Sequence, residues 1–329
     1  MRDFFLRRLI QLIPLLIGIS LISFFVMHLA PGDPTNLFSD PSVKPEELAR
    51  IRANWGLDQP IPMQYLYWVK NAARGDFGND LLTGRPVTEE IVERLPATLL
   101  LMGVSTLVIF LLAIPLGVIS AVRKNSWFDK SVTIFTFVGM STPAFWLGLM
   151  LMLLFSVILG WLPAIGMYSS AAGNTDIRQA FTGLSGFIDL VRHMVLPVLT
   201  LALVGLAGLT RFQRSAMLEV LGEDYIRTAR AKGLPERTVI FKHALRNALI
   251  PIITIFGLSF PDLFGGAFII ETIFAWPGMG RLGVQAVFQR NYPVLMAMVV
   301  MSAVLIIIGN FIADILYRLA DPRQRKAKL

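Results

Sequence analysis

Apolar residues in this 329-residue chain gather into long runs almost free of charge, separated by polar segments rich in glycine and proline. Six runs stand out, at 9–30, 97–122, 131–160, 194–210, 249–270 and 294–317. A helix needs about 20 apolar residues to cross about 30 Å of hydrocarbon, and these runs meet or approach that length, 194–210 being the shortest. The pattern predicts an all-α, polytopic membrane protein with six transmembrane helices. It divides the chain into an N-terminal tail and first helix (1–30), an external helical insertion (31–96) and a five-helix core (97–329) with a patterned loop at 211–248. The first run has a basic start, but its 22 residues exceed the 7–15 of a signal-peptide core, and Pro31 disfavours cleavage after it. A retained helix is expected.

Composition agrees. Charged residues make up 16% of the chain, against about 25% in soluble domains. The net charge of +8 invites a nucleic-acid reading, which the placement of the basic residues removes. The segments 1–8, 123–130, 211–248 and 318–329 hold 19 of the 30 Lys and Arg in 66 positions, whereas 31–96, 161–193 and 273–293 hold 11 in 120. By the positive-inside rule the first set is cytoplasmic, with both termini inside. With no cysteine and only His28, His193 and His243, far apart in sequence, neither thiolate chemistry nor a metal site is expected.

The segment 31–96 is punctuated by Pro and Gly and carries short amphipathic patterns at 46–55, 63–73 and 87–95, read as an external helical cap. The loop 211–248 is basic and more informative. Leu218, Leu221, Tyr225 and Ala229 recur at i, i+3, i+7 and i+11, with Glu219, Glu223, Arg227 and Arg230 around the rest of the helix. Gly233 stands where a C′ glycine stops a helix, and Pro235 where a first-turn proline starts the next. Ile240, Ala244 and Ala248 then align at i, i+4 and i+8, beside Arg237, Lys242, His243 and Arg246. This is a helix–Gly–helix elbow, able to dock in a groove or to rest on anionic headgroups.

The run Glu-Asp-Tyr-Ile-Arg-Thr-Ala-Arg-Ala-Lys-Gly-Leu-Pro-Glu-Arg (223–237) and the later His-Ala-Leu-Arg-Asn-Ala-Leu-Ile-Pro (243–251) resemble the coupling loop of binding-protein-dependent ABC permeases, within them the dipeptide/oligopeptide family, first-permease type. The superfamily pattern is Glu-Ala-Ala, three residues, then Gly. Here Arg227, Thr228 and Ala229 stand in the first three places and Gly233 in the last, Arg227 being typical of the peptide subfamily. Matching segments run along the chain: Ala30-Pro31-Gly32-Asp33-Pro34, Gly75-Asp76-Phe77-Gly78, Arg94-Leu95-Pro96-Ala97-Thr98, Pro143-Ala144-Phe145-Trp146, Glu271 through Gly280, and Asp321-Pro322-Arg323. The resemblance implies a bacterial or archaeal cytoplasmic (inner) membrane importer. Its parts are this chain and a second homologous permease, both in contact with membrane lipid, two cytoplasmic ATPase subunits and an external substrate-binding protein; no nucleic acid is expected. It implies an ATPase-coupling role for Tyr225, Arg227, Thr228, Ala229, Lys232, Gly233 and His243, small residues letting the elbow approach closely. No Gly-x-x-x-x-Gly-Lys-[Ser/Thr] loop occurs, so no cofactor is expected in this chain, ATP and Mg being bound by the ATPases. The cargo could be a peptide, glutathione, a nickel chelate or an oligosaccharide.

Ionisable groups inside spans cost about 2.5–3.5 kcal/mol on insertion scales, so each needs a reason. Asp262 is read as a pathway residue or a structural partner, Asp314 as structural, Glu271 as solvated or in contact with the binding protein, and His28 as interfacial. Pro143 can open the backbone, and Phe145 and Trp146 line a passage or pack. Against an ATP-independent secondary transporter stand the lack of internal repeats and of several deep charges. Against an enzyme stands the absence of His-Glu-x-x-His and Gly-x-Ser-x-Gly motifs.

Overall fold

The computed structural model describes residues 2–29, 50, 58–169, 183–259, 263 and 267–320, with side chains from Pro14 in the first helix to Ile312 in the last. Among these residues the chain is helical, its one β feature an isolated bridge between Asn79 and Pro86. Helix α1 (Arg2–Leu29) precedes helix α2 (Ile61–Ala72). Then come α3 (Val87–Val122), α4 (Trp127–Ser141), α5 (Ala144–Met152, extended by a π turn at Leu153–Ile158) and α6 (Leu184–Leu221). The elbow helix α7 (Asp224–Ala231) leads into α8 (Glu236–Leu258), followed by the short α9 (Phe268–Ile273) and α10 (Met279–Phe288) and by α11 (Tyr292–Ala320).

Four helices, α3, α6, α8 and the Tyr292–Ile312 part of α11, are long and apolar enough to cross a membrane, and the bent α4–α5 pair makes a fifth if counted as one span. The described apolar part of α1, Pro14–Leu29, is shorter than the others. Three expected spans differ in form. The run 131–160 is two limbs bent by 101° rather than one helix. Thr142 is extended (φ −89°, ψ 122°), because the ring of the following proline disfavours helical geometry there and Pro143 has no N–H to continue the ladder. The expected span 249–270 begins earlier, at Glu236, and its helix stops at Leu258 before α9 starts at Phe268. The expected span 194–210 lies inside the 38-residue α6. At 1.5 Å per residue that helix is about 57 Å long, well beyond the hydrocarbon layer.

Helix α3 likewise runs without a break through the expected boundary at Pro96, so its first three turns stand outside the apolar run. The pairing of α3 with α6 is the most extensive in the molecule. It depends on small residues, as helix contacts in lipid do, because lipid tails remove the hydrophobic drive and leave packing to decide. A Cβ on Gly117 would lie 2.7 Å from Gln213 Cβ and 2.9 Å from the Thr210 carbonyl, so the backbones meet there. Large apolar side chains such as Leu111, Ile134 and Val157 are more than 60% exposed on the isolated chain. A soluble monomer would not show such a surface.

Candidate functional site: the elbow and a carboxylate cage

The elbow begins where α6 ends. Gly222 caps α6, Glu223 turns extended (φ −69°, ψ 147°), and α7 starts at Asp224. The single helix expected across Leu218 to Ala229 is thus two, broken at Gly222. At the other end of α7, Gly233 adopts φ +76°. Its N–H donates to the Arg230 carbonyl (2.9 Å) and the Leu234 N–H to the Ala229 carbonyl (3.4 Å), which is the Schellman pattern. No atom lies within 4 Å of a Cβ built at Gly233, so glycine is needed for its backbone angle and not for space. Pro235 is the cap before Glu236 rather than the first helical residue.

Across this turn Arg230 Nη2 and Nε reach the Glu236 carboxylate at 2.7 and 3.2 Å. That carboxylate raises the Arg230 guanidinium above its ordinary value. From α8, Asn247 Nδ2 donates to Tyr225 Oη (2.8 Å). The underside of α7 is apolar. Ile226 and Ala229 are buried against Met217 of α6, Val118 and Ala121 of α3, and Val239, Ala244 and Ala248 of α8. Val239 takes the core place expected of Ile240, because the π turn Val239–Ala244 inserts a residue and shifts the register by one.

The expected coupling residues therefore separate into two groups. Tyr225, Arg227, Thr228, Lys232 and Gly233 lie on the exposed side, and His243 is half-buried. Ala229 departs from the expectation of an outward small residue, since it is 7% exposed and lets α7 approach its own membrane helices. Leu234 and Phe241, 38% and 58% exposed, add apolar surface that the sequence reading did not single out. Their one legible signal was apolar type within a basic loop.

Beside the elbow, the buried Asp129 at the start of α4 ties three helices together. It accepts from Ser120 Oγ of α3 (2.5 Å), from the Asn125 N–H (2.9 Å) and, through both oxygens, from Arg214 of α6 (2.6 and 2.8 Å).

The opposite end of α3 carries a second site. Glu271 is not solvated, as the sequence suggested, but fully buried. Its Oε1 accepts from Thr98 Oγ1 of α3 (3.0 Å) and its Oε2 from the Arg281 N–H of α10 (3.1 Å). Thr98 Oγ1 in turn accepts from the Met279 N–H (2.7 Å), and Trp276 Nε1 donates to the Ala97 carbonyl (2.9 Å). Burial pushes the Glu271 carboxyl above its ordinary value, while the Arg281 N–H and the Thr98 hydroxyl pull it back. Gly278 and Gly280 leave the room the carboxylate fills. A Cβ at Gly278 would overlap Glu271 Oε2 and Thr98 Oγ1, and one at Gly280 would come within 3.0 Å of the same Oε2. The Glu271–Gly280 motif is a folded cage that locks α9 and α10 onto α3.

Of the expected pathway residues, Pro143 sits at the bend, and Phe145 and Trp146 of α5 are each 49% exposed. Asp262, Pro261 and Gly265-Gly266 lie outside the described residues, as do the pattern at 46–55 apart from Arg50, Asp321 and the Asp314 side chain. No group of three potential metal ligands occurs among the described residues.

Spanning helices, an amphipathic elbow between two of them and a large apolar outer surface define a multi-pass membrane transport subunit. The fold resembles that in the inward-facing MetNI methionine ABC transporter (CY5 native crystal form), with a TM-score of 0.55 and 20% identity over 71% of this chain and 97% of that one. Residues 113–326 match the family described as binding-protein-dependent transport system inner membrane component, and 1–102 match its N-terminal companion. The chain belongs to that family. It is 48% identical to the oligopeptide transport system permease protein AppB of Bacillus subtilis (strain 168), over 98% of this chain and 99% of that protein. It is 42% identical to the dipeptide transport system permease protein DppB of Escherichia coli (strain K12), over the full length of both. Against the glutathione transport system permease protein GsiC of Salmonella choleraesuis (strain SC-B67) the figures are 39%, and 99% of each chain.

Proposed function

We propose that this chain forms half of the transmembrane passage of an ATP-driven peptide importer. Cargo arrives from an external binding protein. Of two ATPase subunits, which bind ATP and Mg, one receives this chain's elbow in a cleft. Six spans place both termini in the cytoplasm of a bacterial or archaeal cell, α1 and the bent α4–α5 pair each counting as one. A second, homologous permease covers the other side of the passage. Peptide cargo is supported by the AppB and DppB relatives, and the GsiC relative supports glutathione as the second reading.

The observation that carries the coupling reading is the mounting of α7. Its buried side is packed against α3, α6 and α8 at once, and short turns at Gly222 and Gly233 join it to the ends of α6 and α8. A displacement of α7 by a docked ATPase moves two spanning helices as rigid levers, because packed interiors shift as units rather than deform. Between α3, α6 and α8 lies an open cavity of about 380 Å³, lined by Thr106, Phe110, Gly205, Gly208, Phe212 and neighbours. The described residues that line it carry no charge, which suits a wall that passes cargo without holding it. The exposed Phe145 and Trp146 belong to the same proposed passage surface.

The test is Gly233→Pro in the co-purified, liposome-reconstituted complex. Proline fixes φ near −65° and has no N–H, whereas this site needs φ +76° and a bond to Arg230. Membrane insertion is expected to persist while ATP turnover ceases to drive peptide uptake. Uptake at the unaltered rate would overturn the coupling assignment.

A further inference from the structure

The ends of α1 and α11 and the helix α2 enclose a cavity of about 240 Å³ that belongs neither to the elbow nor to the passage. One wall is apolar, made by Phe24 and Met27 of α1 and Met296 of α11. The other comes from the segment after residue 58 and presents Gln59, Asn71 and Asp76. Between them stand the rings of Tyr67, Trp68, Phe77 and Tyr292. Trp68 and Phe77 are 6.4 Å apart, and Tyr292 lies 5.4 Å from the His28 ring. Among the described residues that line the cavity there is no Lys or Arg, Asp76 is the one carboxylate, and His28 stands beside the rings. Asp76 Oδ1 accepts from the Gly78 N–H (2.9 Å), which fixes the carboxylate in place. His28 is held by the Phe24 carbonyl (2.8 Å) and Gln64 Oε1 (3.2 Å).

We propose that this cavity is a binding site for the ammonium-bearing headgroup of a zwitterionic phospholipid of the outer leaflet. The assignment rests on the orientation given under Proposed function, which puts the external ends of α1 and α11 at headgroup depth. Aromatic rings beside a carboxylate are the chemistry that selects an ammonium group. The amides of Gln59 and Asn71 offer donors to the phosphate, and the Phe24, Met27 and Met296 wall accepts the start of the acyl region. The volume falls below the 300–1,000 Å³ usual for ligand pockets. That suits a headgroup and not a peptide of several residues. A bound lipid would wedge α1 against α11 and hold the external helix α2 to the membrane.

The experiment uses the intact complex in mild detergent, exchanged against equal phosphatidylethanolamine and phosphatidylglycerol and read by native mass spectrometry. Phosphatidylethanolamine is expected to be retained about fivefold over phosphatidylglycerol, the scale of one partly desolvated cation–π contact. Asp76→Asn and the rim-filling Asn71→Trp are each expected to bring the two lipids to parity. Equal retention in the unaltered complex, or a preference that survives both substitutions, would overturn the proposal. So would displacement of the lipid by a dipeptide. A single cysteine at position 71 of this cysteine-free chain, labelled by an impermeant maleimide, reports orientation separately. Labelling only from the cytoplasmic side would sink the orientation reading itself, whereas external labelling without lipid preference would sink the lipid site alone.

Discussion

The elbow and the carboxylate cage lie at opposite ends of α3 and place charge in opposite ways. In the elbow, charged side chains such as Arg227 and Asp224 remain 74% and 94% exposed, and the buried side is made of Ile226, Ala229 and their apolar neighbours. In the cage a carboxylate is the centre, and backbone N–H groups, a hydroxyl and two glycines close round it. A buried carboxylate with its lone pairs satisfied is costly to disturb, so the cage fixes α9 and α10 to α3. In the proposed coupling role, an apolar underside with a solvated charged top moves as one body and leaves its outer surface for the ATPase. On that proposal one region serves as a frame and the other as a lever.

Substitutions in the cage should therefore cost most. Glu271→Ala leaves the Thr98 hydroxyl and the Arg281 N–H buried without their acceptor, and about 3 kcal/mol or more of stability is expected to go. A denaturant titration of the complex in detergent checks it. An unchanged midpoint would mean that the cage is not the frame described. Ala229→Leu adds three carbons under α7 where the packing is closed. A loss of about 2 kcal/mol is expected from overpacking, together with weaker coupling of ATP hydrolysis to uptake. Coupled transport at the normal ratio would show that the seat of α7 does not set the lever.

Gly233→Ala forces an L side chain to φ +76° with free space around it. Only the backbone term of about 1 kcal/mol is lost, so uptake should fall far less than in Gly233→Pro. Equal defects in the two variants would argue that the Cβ, not the angle, matters. Arg230→Ala removes an ion pair with both partners about half exposed, and at most about 0.5–1 kcal/mol is expected to change. That difference should shrink further at high salt. A large loss would place Arg230 in the ATPase interface rather than in the turn.

The residues that could be read in advance were those whose meaning is local. Gly233 and Pro235 marked a stop and a start, and the structure has the cap and the restart there. Gly222 was not read as a break, because a glycine beside Glu and Asp is equally compatible with a continuing helix. The exchange of Ile240 for Val239 could not be seen, since a π turn leaves no mark in a 3.6-residue pattern. Glu271 was placed in solvent on the strength of its charge and its position at the end of an apolar run. Its cage is made by Thr98 and Arg281, which lie 173 residues before it and 10 after it.

The amino-acid sequence by itself determined that the chain is helical, lies in a membrane and carries an amphipathic elbow among basic residues. Hydrophobic runs, charge asymmetry and turn residues act over one or two helical turns and need no partner. Only the tertiary structure decided that Ala229 faces inward and that Glu271 is enclosed. Each of these depends on which distant helix supplies the facing surface. A desolvated carboxylate is tolerated only where that distant surface brings donors to it.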